Sequence, residues 1–195
     1  MIDYVYHYFR KGSRPFQSLS ALAEDQAKSI MMELYIPGSM LWQRFGDPNW
    51  YLPLRRNVEH ELYTQFRAKG GSPRQRYPVY FTVGRPKWAV VGADAFTMEH
   101  TDEIRVPFSL FCTEEVSLTY PDSMLSFMLS QKKDHPEYDP EYHGHVFMLE
   151  EMECLIRTRR LPLGDWKRDV PPTFSHYVEV QVWNPAVLEQ YLDGR

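Results

Sequence analysis

Alternation of bulky apolar and polar positions predicts several β-strands along the chain. The pattern is clearest over 176–183, where Val178, Val180 and Val182 share one face of a predicted strand. Glu179 lies in the middle of the opposite face. That face also carries Tyr177, Gln181 and Trp183. By the same criterion, the other predicted strands are 3–9, 78–83, 103–111 and 116–120.

Apolar positions spaced by three or four residues predict two longer helices, over 20–36 and 53–69. Ser18 or Ser20 is expected to cap the first helix, and Pro53 is expected to open the second. Shorter helices are predicted at 121–131, 146–160 and 185–192.

Residues 38–52 follow neither period and hold several aromatic side chains, which predicts an ordered aromatic loop lying over another part of the molecule. The strands and helices are interspersed without a repeating βαβ rhythm. This order predicts an α+β fold with largely antiparallel strands. At 195 residues, the chain is expected to form a single domain over 1–195. Pro107 indicates an edge position or a bulge for its strand.

Composition adds few constraints. Aromatic residues make up 15% of the chain, more than a core of this size needs, and such an excess often lines clefts. The net charge of -4 argues against a nucleic-acid coat protein or a polybasic membrane binder. There is neither a long apolar run nor a signal-peptide pattern, so a cytoplasmic protein without membrane contact is expected. Cys112 and Cys154 lack CxxC spacing and are expected to be reduced, buried thiols.

The sequence contains none of the motifs GxGxxG, GxxxxGK[ST], HExxH and GxSxG. Their absence argues against dinucleotide-fold oxidoreductases, P-loop enzymes, zincins and α/β-hydrolases. The best candidate for a metal site is the segment "HPEYDPEYHGH". It could supply ligands from His135, Asp139, Glu141, His143 and His145. Because such residues are common in polar loops, a solvated loop without metal is expected there.

Glu179 is the stronger candidate for chemistry. A carboxylate in the middle of a strand, between aromatic and amide side chains, suits the wall of a cleft. In that position it can stabilise a developing positive charge or accept a proton from an attacking group.

Three segments, in this order, resemble landmarks of the DarT-like DNA ADP-ribosyltransferases, a branch of the NAD-dependent ADP-ribosyltransferase fold. They are "VYHYFRKGSRPFQSL" near the N-terminus, "RYPVYFTVGRPKW" in the middle and "HYVEVQVWNPAVLEQYL" at the end. The resemblance covers about a quarter of the chain by motif. It implies split, mainly antiparallel sheets flanked by helices, and NAD as the substrate.

The resemblance also implies roles for individual residues. Glu179 would be the catalytic carboxylate and Arg85 the catalytic or phosphate-contacting arginine. His7, with its neighbour Tyr8, would contact the cofactor, His7 at the ribose. The candidates for an aromatic ring stacked on nicotinamide are Tyr77, Tyr80 and Trp88. This chemistry needs no metal.

Two alternatives stay open beside transfer of ADP-ribose to a nucleic-acid or protein acceptor. One is a non-enzymatic binding protein of the same fold, in which the cleft or the 38–52 loop holds a ligand. The other is a metal-dependent hydrolase that uses the histidine-rich loop 135–145. Convergence of His7, Arg85 and Glu179 on one cleft would favour the transfer of ADP-ribose over both alternatives.

Overall fold

The structure, a computed structural model, describes residues 1–39, 41–90, 95–166 and 176–194. Five strands occur in this part of the chain: β1 (Tyr4–Arg10), β2 (Val79–Val83), β3 (Thr101–Pro107), β4 (Val116–Thr119) and β5 (Glu179–Val182). They form one antiparallel sheet in the order β3-β1-β2-β5-β4. The α+β class and the predicted strands are confirmed, but the described strands pair as one continuous sheet and not as split sheets. β3 lies at the edge, as Pro107 predicted.

Strand register gives the sheet one polar and one apolar face. Tyr6 pairs with Thr82, and Thr82 pairs in turn with Glu179, so these three side chains share a face. The adjacent residues Phe81 and Val180 also pair, and their side chains lie on the opposite face. The alternation predicted for β1 and β5 is therefore confirmed, and it continues across neighbouring strands.

Seven α-helices occur in the described residues: α1 (Glu24–Leu34), α2 (Pro48–Ala68), α3 (Lys87–Val90), α4 (Ala95–Glu99), α5 (Ser123–Ser130), α6 (Leu149–Arg159) and α7 (Ala186–Asp193). Short 3-10 turns occur at Leu19–Ala21, Gln43–Gly46, Phe108–Leu110 and Thr113–Glu115. The sequence pattern did not predict α3 and α4, which are too short to show a helical period. Among the described residues, no helix is both long and apolar enough to cross a bilayer.

The two long helices begin elsewhere than predicted. The residue that caps α1 is Ala23, and neither Ser18 nor Ser20 caps the helix, because a 3-10 turn occupies the intervening residues. α2 begins at Pro48, since the side chain of Asp47 accepts a hydrogen bond from the backbone N–H of Trp50 and caps the helix. Pro53 therefore lies inside α2, where it costs one backbone hydrogen bond.

Helices cover both faces of the sheet. On the apolar face, Met152 and Leu155 of α6 and Leu188 of α7 join the valines of β5 in one core. On the polar face, α2 packs Phe66 against the indole of Trp183, with ring centroids 5.8 Å apart. This three-layer arrangement buries the polar face of the sheet as well as the apolar one.

Both cysteines are free and exposed, so the prediction of buried thiols is wrong. Cys112 lies in the connection before a 3-10 turn. The buried positions of α6 are Met152, Leu155 and Ile156, which leaves Cys154 on the outer face of that helix.

Candidate functional site

A cleft of about 430 Å³ opens between the polar face of the sheet and the helices α1, α2 and α5. The segment predicted as an aromatic loop forms part of its wall through Trp42, Arg44 and Phe45. Trp42 and Phe45 are buried there, whereas Trp50 is 58% exposed because it lies on the outer side of the first turn of α2. The prediction that this segment lies over another part of the molecule is confirmed, but residues 48–52 belong to α2 and not to a loop, and residue 40 lies outside the described residues.

The structure brings five of the seven predicted site residues together. His7, Tyr8, Tyr80, Trp88 and Glu179 line the cleft. The other two predicted residues, Arg85 and Tyr77, are not among the residues that line it.

Glu179 lies in the wall of the cleft with only 8% of its surface exposed. Its Oε1 accepts hydrogen bonds from the backbone N–H of Ser123 at 3.2 Å and from Nε2 of Gln181 at 2.9 Å. Burial, reinforced by the nearby charge of Asp122, raises the pKa of Glu179 to about 7.

A buried hydrogen-bond chain holds Glu179 in place. Trp183 donates from Nε1 to Oγ of Ser117 at 2.9 Å, and Ser117 donates to Oε1 of Gln181 at 2.9 Å. Gln181 then donates from Nε2 both to Glu179 and to Oγ1 of Thr119. Because these partners are buried between the sheet and α2, the carboxylate has little freedom to turn.

Asp122 is a second buried carboxylate in the cleft wall, 8% exposed, and the sequence argument did not select it. It caps α5, since its Oδ1 accepts from the backbone N–H of Leu125 at 2.8 Å. The following residue, Ser123, donates its N–H to Glu179. The start of α5 therefore holds both carboxylates on one wall.

Arginines supply the positive charge of the cleft. None of them was among the site residues predicted from the sequence. Within the part of the chain that the structure describes, four line it: Arg10, Arg14, Arg44 and Arg55. Arg55 is the most buried of these: its Nε donates to Oε1 of Glu59 at 3.0 Å, and its guanidinium lies 4.7 Å from the ring centroid of Tyr80. Glu59 is fully buried and also accepts a hydrogen bond from the hydroxyl of Tyr80. Arg55 and Tyr80 are thus fixed together by one carboxylate.

His7 borders the cleft with both ring nitrogens engaged. Nδ1 donates to the carbonyl of Tyr80 at 2.8 Å, and Nε2 accepts from the backbone N–H of Phe16 at 3.0 Å. Burial lowers the pKa of His7 to about 4, so the ring is neutral at physiological pH. These contacts favour a structural role for His7, which links β1 to β2 and to the turn that follows β1.

Arg85 lies just outside the cleft and is linked through Glu103 to Tyr8, which lines the cleft. It makes a two-pronged ion pair with Glu103, and Oε2 of the same carboxylate accepts from the hydroxyl of Tyr8 at 2.9 Å. Gly84 permits this position because its φ is positive and a Cβ there would overlap the carbonyl oxygen of Gly164. Arg85 therefore orients Tyr8, whose ring meets Trp88 edge to face.

Tyr77 lies at the surface before β2, where its ring meets the guanidinium groups of Arg56 and Arg76. The cleft-facing tyrosine of the same segment is Tyr80, which shares the polar face of the sheet with Glu179. Of the two aromatic candidates in this segment, the structure places only Tyr80 in the cleft.

The loop 135–145 has a hydrogen-bonded core of its own. The ring of His143 is buried and accepts the backbone N–H of Asp139 at Nδ1, while Arg159 forms ion pairs with Asp139 and Glu141. Within the described residues, no group of three or more His, Cys, Asp and Glu side chains is placed to hold a metal ion.

Comparisons with protein-family models, with curated proteins and with solved structures found no match to this chain.

Proposed function

We propose that this protein binds NAD in the cleft and breaks the bond between its ribose and nicotinamide, with Glu179 as the catalytic carboxylate. The observation that carries the proposal is the position of Glu179: a buried carboxylate in the wall of a cleft that four arginines and several aromatic rings also line. Anionic, aromatic ligands of nucleotide type suit such a lining.

The arginines support a phosphate-binding role. Arg55 is the best placed for it because Glu59 and the ring of Tyr80 hold its guanidinium in a fixed orientation. A fixed guanidinium loses little entropy when it binds a pyrophosphate, and Arg55 offers this orientation while Glu59 balances part of its charge. Arg10, Arg14 and Arg44 add positive charge around the same cavity.

The aromatic side chains support stacking of the planar rings of the ligand. Trp88 and Tyr8 form one edge-to-face pair, with ring centroids 4.7 Å apart. Both line the cleft. The ion pair of Arg85 with Glu103 fixes the hydroxyl of Tyr8 and so keeps that ring in place. In this proposal Arg85 is a positioning residue.

Glu179 supports cleavage of the glycosidic bond. As nicotinamide leaves, the ribose acquires oxocarbenium character, and an adjacent carboxylate lowers the energy of that charge. The hydrogen bonds from Gln181 and Ser123 hold the carboxylate in a fixed orientation, so it needs little reorganisation to stabilise that charge. The carboxylate must be ionised for this role, and its raised pKa of about 7 places the ionised form in the neutral to alkaline range.

The first experiment measures NAD binding and nicotinamide release by the wild-type protein and by Glu179→Gln. We expect NAD to raise the melting temperature of both proteins, since a ligand at about a hundredfold excess over its Kd adds about 2.7 kcal/mol to the stability of the folded state. Nicotinamide release should fall by about a hundredfold or more in the variant. Glu150→Gln, which changes an exposed glutamate of α6 away from the cleft, is the matched control and should leave both measurements unchanged.

The second experiment tests the phosphate contacts. Arg44→Gln should weaken NAD binding by about tenfold, with a smaller effect on the binding of nicotinamide alone, because only NAD carries the pyrophosphate. Arg157→Gln, on the exposed surface of α6, is the control. NAD binding without any nicotinamide release would favour the alternative of a non-enzymatic binding protein. Absence of both would refute the proposal.

A further inference from the structure

Asp122 and Glu179 come from different elements, the start of α5 and the strand β5, yet they lie on one wall of the cleft. Each is 8% exposed. The backbone N–H of Ser123, next to Asp122, donates to Oε1 of Glu179 and so ties the start of α5 to the catalytic carboxylate. Both carboxylates line the cavity that we propose for NAD.

Two carboxylates at one glycosidic bond can divide the work of cleavage: one stabilises the sugar cation and the other deprotonates the attacking nucleophile. The network of Gln181 and Ser123 assigns the first role to Glu179, whose orientation is fixed. The second role needs a base beside it in the same cavity. Among the described residues, Asp122 and Glu179 are the two acidic side chains that line the cleft.

We infer that Asp122 is the general base of this reaction, that the nucleophile is water, and that the products are free ADP-ribose and nicotinamide. This inference rests on the proposed function and names its acceptor. Asp122 is 8% exposed in the wall of a cavity of about 430 Å³, and water is a nucleophile small enough to reach a base so buried beside a bound NAD.

The step balances as a hydrolysis. The bond between C1′ of the ribose and the nicotinamide nitrogen breaks, and its electron pair leaves with nicotinamide, which departs neutral. A bond forms between C1′ and the water oxygen. The water proton passes to Asp122 and from there to solvent, so one proton is released per NAD hydrolysed. Glu179 remains ionised throughout, and no oxidant, reductant or metal takes part.

The test uses Asp122→Asn in the full chain. Asparagine caps helices about as well as aspartate, so the hydrogen bond to Leu125 and the fold should survive while the base is lost. We expect nicotinamide release to fall by about a hundredfold. NAD affinity, measured by calorimetry, should stay within about threefold, since binding keeps the arginine contacts. Asp47→Asn, which alters the capping aspartate of α2 outside the cleft, is the matched control and should retain full activity.

Azide separates a general base from a merely structural residue. As an anion, azide attacks C1′ without losing a proton, so it should restore nicotinamide release in Asp122→Asn and form an azide adduct of ADP-ribose. Azide should not restore nicotinamide release in Glu179→Gln, because that variant lacks the stabilising charge. Asp122→Ser provides a second capping variant with the same expected rescue, should the asparagine variant fold poorly.

Three results would overturn the inference: full turnover in Asp122→Asn, loss of turnover that azide does not restore in either Asp122 variant, or nicotinamide release by the wild-type protein without an equal yield of free ADP-ribose. In each case the wild-type protein still cleaves NAD, so the proposed function survives. Failure of the wild-type protein to bind or cleave NAD would refute both.

Discussion

Glu179→Gln should stabilise the ligand-free protein at neutral pH and leave its stability nearly unchanged in acid. The reason is the burial of the carboxylate between the sheet and α5, beside Asp122, which disfavours its ionised form. Glutamine stays neutral at every pH. Its side-chain oxygen can occupy the position of Oε1 and accept the same hydrogen bonds from Ser123 and Gln181.

The magnitude follows from the pKa of Glu179, which burial raises from 4.5 in the unfolded chain to about 7 in the folded protein. An acid whose pKa rises on folding stabilises the folded state below the unfolded value and loses that contribution as the pH rises through the folded value. Each pH unit in this window is worth about 1.4 kcal/mol. The wild-type protein should therefore lose about 3 kcal/mol at this site between about pH 4.5 and about pH 7.5, and the glutamine variant should not.

The assay is urea unfolding of both proteins at several pH values across that window, without NAD. The quantity of interest is the difference in unfolding free energy between variant and wild type, because titrating groups that do not interact with Glu179, such as His7, contribute equally to both and cancel. The difference should grow in favour of the variant by about 3 kcal/mol as the pH rises. A melting-temperature difference of roughly 6 to 12 °C near neutral pH is the corresponding thermal signal.

A difference that stays constant across the pH range would refute the reasoning, since it would mean that Glu179 titrates as it does in the unfolded chain. A variant that is less stable at neutral pH would show that the charge of Glu179 stabilises the fold. Asp122→Asn is the companion measurement. By removing the neighbouring charge, it should lower the pKa of Glu179 and shift the midpoint of the titration towards acid.

Four further outcomes are expected. The pH profile of kcat/KM for nicotinamide release should rise and level off above about pH 7, because Glu179 acts ionised. Arg55→Met should cost about 3–5 kcal/mol by leaving Glu59 buried without its countercharge, and a urea-unfolding cycle with Arg55→Met/Glu59→Leu should recover part of that loss. His7→Leu should lower the unfolding free energy by about 1–3 kcal/mol at neutral pH, through two unpaired backbone groups. Excess EDTA should change the melting temperature by less than about 1 °C relative to the untreated protein, and a larger decrease would revive the metal-site alternative.

The fold class was predictable because periodicity is local. The period of two in β1 and β5 and the spacing of three and four in α1 and α6 are visible within single segments, and all four elements occur where predicted to within a few residues. Helix starts were less predictable. Pro53 and Asp47 with Pro48 are both plausible openings for α2, and the choice depends on the burial of Tyr51 and Leu52 against the segment before the helix.

Part of the site was also visible in the sequence. Glu179 stood out because its face of the strand carried no lysine or threonine that would mark it as a solvent face, and that face proved to be buried under α2 and to border the cleft. Arg85 looked equally suitable in its segment, yet its ion pair with Glu103, a residue of the neighbouring strand β3, turns it to the rim. Nothing within the segment of Arg85 encodes that partner.

The sequence by itself determined the types of most elements and the division of β1 and β5 into an apolar and a polar face, because backbone geometry imposes those periods residue by residue. The tertiary structure alone decided that Arg55 and Asp122 join Glu179 in one cleft. In the chain these residues are an ordinary helix cation and a helix cap. Their shared position arises from packing α2 and α5 against the polar face of the sheet, a contact between segments far apart in sequence that no local pattern records.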